Sequence, residues 1–260
     1  MATNPAEQGK DEVAALARGL ALLRVVAAAD QPLSNRELAD NTGIPKATVS
    51  RLTATLQGSG FLTQSPSSER FSLGPGVLDL GNAFLRHFDF RLHARPQLAE
   101  LAEAAGANVH LAVRDGLDVL LIDTLRPKTA LVLSRMDVGS RMAIATSAAG
   151  RAYLAASPDA ERSELLQELR TQAGKGATKV MKAIDAALAE YARHGFCSSF
   201  GEWHPEIHAL GFALHGPRGE LYAVSVGGPA YKLPQRMLLE KVGPRLLQVQ
   251  RAIERGLGRG

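Results

Sequence analysis

Between Ile44 and Gly60 the chain carries no carboxylate, and its polar residues gather on one side of a helical repeat. Val49, Leu52 and Leu56 recur at helical spacing and predict an inward stripe. Lys46, Thr48, Ser50, Arg51 and Thr53 are assigned to the opposite face. Short hydroxyls and cations suit hydrogen bonding to phosphates and base edges in the major groove of duplex DNA, where an acid would be repelled. Arg51 has the fork geometry for guanine or for phosphate, and the sequence leaves that choice open. A solvated surface helix can share this composition, so the flanking elements must decide.

A second cluster is Glu202, His204, Glu206 and His208, spaced by two. On one straight strand all four would share a face. Two imidazoles and two carboxylates could then ligate zinc or another divalent metal. Pro205 argues against an uninterrupted central strand. The alternatives are a polar anchor for a small ligand, or solvated and internally satisfied polar groups. Cys197 is the single cysteine, which excludes an intramolecular disulfide. A lone cysteine reads first as a small buried apolar side chain. With no nucleophile elbow, phosphate loop or HExxH helix, no catalytic residue, no cofactor and no enzyme activity are expected.

The elements around the acid-free helix favour the DNA reading over a protein-interaction module. Ser34 as N-cap, Glu37 three residues later and the Leu38-Ala39 pair write a first helix. Gly43 supplies a tight turn, and Pro45 fits the first turn of the next helix. That is a helix-turn-helix. Ser34 and Asn35 start its first helix and could donate to a phosphate, although capping explains Ser34 equally well. Residues 61–64 and 71–73 then predict a hairpin, making a winged helix whose loop could reach DNA through Arg70 and the serines. Before the motif, Val13, Leu16, Leu20, Leu23 and Ala27 form an amphipathic stripe, widened by Leu22, Val25 and Val26. Such a helix should pack on the motif and against a second subunit.

Gly74-Pro75-Gly76 breaks this pattern. A helix from Val77 to His93 reads as a linker that can carry an interface, or as a helix buried within one domain. Pro96 opens another helix, ended by Gly106. Strands are then expected at 108–114, 117–123, 129–135, 196–201, 207–215 and 220–227, with helices at 147–156, 158–172, 179–194 and 234–255. The fold class is α+β, an antiparallel six-stranded sheet covered by helices. Two domains fit 260 residues at about 150 residues each. The net charge of +4 permits nucleic-acid binding without demanding it. Acids and bases nearly balance over residues 1–80, which suits a specific reader acting as an oligomer. No apolar run long enough for a membrane span and no signal peptide precede Val13, so a cytoplasmic protein is expected, with a disordered tail at 1–12.

Five segments together resemble the IclR-type transcription regulators. They are Leu16–Leu23, Ile44–Leu52, Phe71–Gly81, Val138–Ala152 and Ser225–Pro229, in the family's order and spacing. The resemblance covers residues 13–256. It implies a winged helix-turn-helix domain at 13–74, a linker helix at 75–95 and a GAF-like effector-binding domain at 96–260. It also implies homodimers or tetramers, formed through the N-terminal and linker helices on operator double-stranded DNA, and a small-molecule effector. Pocket positions carried over from the family are Ser147, Ala148 and Ala149, then Glu202, His208 and Ala209, then Ser225 and Gly227, with Leu131, Leu133 and Met136 as an apolar wall. The start of the Ser147 helix would offer backbone N–H groups to a carboxylate, or would be small simply to pack closely on the sheet. Trp203 and Phe212 could stack on a ring or belong to the core, and His110 could also face the pocket. His204 and Glu206 depart from the family pattern.

Overall fold

The computed structural model describes residues 13–128 and 136–257. The chain divides between His87 and Phe88 into two compact units.

The first unit holds α1 (Ala14–Ala28), α2 (Asn35–Thr42), α3 (Lys46–Gly58), β1 (Leu62–Gln64), β2 (Phe71–Leu73) and α4 (Pro75–Arg86). The predicted capping box opens α2: the Glu37 amide donates to Ser34 Oγ at 3.3 Å, and the Ser34 amide donates to Glu37 Oε2 at 2.8 Å. Gly43, at φ 70°, ends that helix in the left-handed conformation. Leu22, Val26, Leu38, Ile44, Val49, Leu62 and Phe71 form the core. α1 departs from expectation. Its buried face is Gly19, Leu22 and Val26, while Val13, Leu16 and Leu20 are 66, 63 and 47% exposed. The helix is apolar on two sides, and the unit's own core covers one of them.

The second unit opens with α5 (Phe90–Ala105). The continuous helix expected over 77–93 is therefore broken at residues 87–89, and Pro96 lies inside α5 rather than at its start. Phe90 explains the break: it is 5% exposed and stacks on Tyr222 with ring centroids 4.6 Å apart, which anchors a new helix on the sheet. The six strands are β3 (Asn108–Asp115), β4 (Asp118–Leu125), β5 (Arg141–Ala143), β6 (Cys197–Phe200), β7 (Ile207–His215) and β8 (Leu221–Pro229). All pairs are antiparallel, in the order β5-β4-β3-β8-β7-β6. The strand expected at 129–135 lies outside the described residues, and the short edge strand at 141–143 was not anticipated.

α6 (Ala148–Ala156), α7 (Asp159–Ala173) and α8 (Ala177–His194) pack on one side of this sheet. α5 packs on the other with α10 (Gly243–Gly256), which follows the single turn α9 (Gln235–Met237) and a π-helical segment. Register places the polar residues. His110 pairs with Ser225 and Asn108 with Gly227 across β3 and β8, and Ala209 pairs with Gly227 across β7 and β8. These side chains share the α6 face. None of the described helices is long and apolar enough to cross a membrane.

Candidate nucleic-acid interface and ligand pocket

Lys46, Ser50 and Arg51 stand exposed on α3, with Thr48 half-buried beside them. Neither cation has an acidic partner among the described residues. Four expected DNA-facing residues are turned to internal work. Thr53 is 1% exposed; its hydroxyl reaches Asn35 Oδ1 and Ser50 O, both at 3.1 Å. It lies one turn from Val49 and shares that residue's inward face, while Leu52 and Leu56 are only half-buried at the flanks. Asn35 is the other half of this tie between α2 and α3. Ser34 spends its hydroxyl on the capping box, donating to Glu37 Oε2 at 2.8 Å. Arg70 is also committed. It pairs with Glu37 at 3.0 Å and donates to Pro32 O at 2.7 Å, so it fastens the wing to α2 rather than extending from it. The Ser34 amide and hydroxyl, with Arg70 beside them, hold Glu37 below the usual carboxylate range.

In the second unit a concavity opens between the sheet and the start of α6. It brings together six of the expected residues: Met136, Ser147, Ala148, Ala209, Ser225 and Gly227. Leu131 and Leu133 lie outside the described residues. Ala149 is fully buried in the core instead. Glu202 turns away to Arg151 at 3.1 Å. His208 falls on the opposite side of β7 from Ile207 and Ala209, where its Nδ1 lies 2.9 Å from Leu233 O.

Trp203 and His110, also expected near the pocket, line it too, and the pocket gains Asn108, Met142, Ser199 and Ile207. Strand parity could have found Asn108, since it pairs with Gly227. Met142, Ser199 and Ile207 carried no such signal.

Among the described residues no lysine, arginine, aspartate or glutamate lines the cavity. Its apolar walls are Met136, Met142, Trp203 and Ile207. The 4% exposed Ser225 hydroxyl and the Asn108 amide have no side-chain hydrogen-bond partner among the described residues. At the start of α6, Ser147 Oγ accepts from the Gly150 amide at 3.1 Å and donates to Ala143 O at 2.7 Å. The amides of Ala148 and Ala149 are left as that helix's orphan donors. The close-packing reading of this helix start holds. Gly211 on β7 lets the backbone approach: a Cβ there would lie 2.2 Å from Ala148 O. His110 is 8% exposed, with Nδ1 3.2 Å from Thr124 Oγ1. Burial, helped by the Arg126 charge and opposed by Asp137, lowers its pKa to about 4. The imidazole is neutral at neutral pH.

The metal reading of residues 202–208 does not survive. Residues 201–206 form a bend, with Gly201 at φ 91°, and β7 begins only at Ile207. The period-two argument needed a straight strand. Glu202 is engaged by Arg151, His204 Nδ1 accepts the Glu206 amide at 3.3 Å, and His208 faces the far side. Among the described residues no group of three or more His, Cys, Asp or Glu could hold a metal. Cys197 is fully buried against Ala187 O, and burial pushes its thiol up.

Comparison with known proteins bears on both regions. The family model for the IclR helix-turn-helix domain matches residues 15–66, and that for the bacterial transcriptional regulator IclR C-terminal domain matches residues 82–255. The HTH-type transcriptional regulator TsaQ1/TsaQ2 of Comamonas testosteroni is 32% identical over 95% of this chain and 90% of its own. The crystal structure of an IclR family transcriptional regulator from Brucella abortus superposes with a TM-score of 0.80 at 35% identity, covering 98% of this chain and 96% of that one. An IclR homolog from Microbacterium hydrocarbonoxydans, solved in complex with 4-hydroxybenzoate, shares the fold at a TM-score of 0.75 and 20% identity, over 95% and 100% of the two chains.

Proposed function

The chain belongs to the IclR family of bacterial transcriptional regulators, DNA-binding proteins rather than enzymes, and on that premise we propose how its two units divide the work. The unit ending at His87 reads operator DNA with α3: Lys46 and Arg51 meet phosphate or guanine, and Thr48 and Ser50 meet phosphate or base edges. One observation carries this reading, namely that both exposed cations of an acid-free helix face lack an acidic partner. A second copy of the chain covers the outer face of α1 at Val13, Leu16 and Leu20 and the exposed Leu78 and Leu80 of α4, giving the dimer that two half-sites require.

The unit from Phe88 onward takes a small carboxylate in the cavity between sheet and α6. Its carboxylate meets the Ala148 amide and the Ser225 hydroxyl, and its apolar body lies among Met136, Met142, Trp203 and Ile207. The described part of the wall is uncharged, which favours a ligand held by neutral donors at a helix N-terminus. Binding changes operator affinity because the two conformations of the protein bind the ligand unequally.

The test has two arms. Duplexes are first selected from random DNA by the wild-type protein. Arg51→Ala then binds them about tenfold or more weakly, as loss of one good contact implies, while a thermal-shift response to ligand is retained. 4-Hydroxybenzoate and a series of aliphatic and aromatic carboxylates serve as probes. A true effector at a hundred times its dissociation constant adds roughly 2.7 kcal/mol of stability, and Ser225→Ala reduces that gain. Undiminished DNA binding by Arg51→Ala contradicts the first assignment. A full response in Ser225→Ala contradicts the second.

A further inference from the structure

Arg151, on α6, has a side chain only 6% exposed. A guanidinium removed from water needs a carboxylate and further acceptors in good geometry. Its Nε donates to Ala145 O at 3.1 Å, and its Nη1 donates to Ser198 O at 2.9 Å and to Glu202 Oε1 at 3.1 Å. The other Glu202 oxygen accepts the Phe200 amide. These partners come from the turn before α6, the end of β6 and the bend at 201–206. Each piece carries a pocket residue close by: Ser147, Ser199 and Trp203, respectively.

Trp203 follows Glu202 in the chain. The bend that carries both is otherwise closed by backbone bonds near its base: Gly201 N to Ile207 O at 3.1 Å, Ile207 N to His204 O at 2.9 Å and Ala230 N to Glu206 O at 2.8 Å. Glu202 supplies the only carboxylate of the set and, among the described residues, the only hydrogen-bonded side-chain link from the bend to α6, beside the apolar packing of Trp203 on the core that includes Ala149 and Tyr153.

We propose that Glu202 is a positioning residue for the effector: held by buried Arg151, it fixes Trp203 as a wall of the pocket and so limits which ligand fits, without touching the ligand. This rests on the effector reading of the cavity. Removing the Glu202 charge leaves Arg151 its two carbonyl acceptors and leaves the backbone closure of the bend intact. The effect falls on the placement of Trp203 rather than on the fold as a whole.

Trp203 is the only tryptophan in the chain, so intrinsic fluorescence of the full-length, ligand-free protein reads this wall directly. Glu202→Gln should shift its emission to the red and raise its quenching by acrylamide, with Arg151→Lys intermediate because it keeps the charge and loses the fork. Glu161→Gln, which breaks the Arg114 pair and changes the acceptor of the Tyr153 hydroxyl but leaves the Arg151–Glu202 pair intact, is the structural control and should leave Trp203 unchanged. Quenching in Glu202→Gln equal to wild type overturns the proposal. So does a change that merely follows melting temperature across all three variants. If Glu202→Gln does not fold, Arg151→Lys against Glu161→Gln decides by the same criterion. Where a carboxylate probe perturbs wild-type Trp203, Glu202→Gln should weaken its binding roughly three- to thirtyfold, and unchanged affinity counts against the proposal. A wild-type protein silent to every carboxylate counts against the effector reading, while the ligand-free quenching still decides the role of Glu202.

Discussion

The DNA-reading face and the ligand pocket are built on opposite plans. The first is carried by one helix, α3, whose outward residues lie within six positions of each other. The second draws on β3, β5, α6, β6, the 201–206 bend, β7 and β8. A face on one helix is written in local periodicity. A pocket across a sheet is written in register and close backbone approach, which no short window of sequence contains. The two regions should therefore respond differently to the same kind of change.

The largest expected contrast is between two glycines. At Gly211 an added Cβ would meet Ala148 O at 2.2 Å and Ala149 N at 2.6 Å. Backbone must move, so Gly211→Ala should cost about 3 kcal/mol or more, at or above the usual range for overpacking. Gly58, near the end of α3, meets nothing within 4 Å, and Gly58→Ala should gain up to about 1 kcal/mol from helix propensity. Urea unfolding of the two variants checks this. Equal tolerance would mean that α6 is not seated on β7.

Acid should separate the units next. The His110 pKa is lowered from 6.5 to about 4 in the folded protein. Above about pH 6.5 the group is neutral whether folded or not. As pH falls below that value, the unfolded chain accepts a proton that the folded pocket refuses, so stability is lost between about pH 6.5 and 4, by up to about 3 kcal/mol. Among the described residues of the first unit no buried group is shifted in this way; Glu37 is lowered, and it is a surface carboxylate. Denaturant midpoints from pH 7.5 to 4.5 should fall less steeply in His110→Gln than in wild type. Parallel curves would remove His110 as the cause.

The smallest effect belongs to the local plan. Ser34→Ala removes the N-cap of α2 and should cost about 1 kcal/mol, read as a lowered melting temperature. Its DNA affinity should stay close to wild type under conditions where the protein is fully folded, because the hydroxyl is committed to Glu37 and not to phosphate.

What the sequence showed follows this division. The capping box at Ser34 and Glu37, the turn at Gly43 and the acid-free run all lie within a few residues, and each was legible. Strand β7 was bounded correctly by its alternation and its flanking turns. The errors arose where tertiary context outweighed pattern. Thr53 looked outward by polarity, yet it lies one turn from Val49 and satisfies its hydroxyl on Asn35. Arg70 looked like a wing contact, and its partner Glu37 is 33 positions away. Glu202 and His208 shared a face only while the strand was imagined to begin before Gly201. Asn108 became a pocket residue through pairing with Gly227, more than a hundred residues on.

The measurement that bears most directly on the account is the salt dependence of duplex affinity for wild type, Arg51→Ala and Arg70→Ala, compared side by side. Each phosphate contact contributes close to one unit to the slope of log affinity against log salt. If Arg51 meets phosphate, its removal should flatten the slope by about 0.9; if it reads guanine, affinity should fall with relaxed specificity at one base. In either case Arg70→Ala should leave the slope near wild type, its charge being spent on Glu37. An Arg51 variant that matches wild type in affinity, slope and sequence preference, or a loss carried by Arg70 alone, would contradict the assignment of the exposed α3 face as the surface that reads DNA.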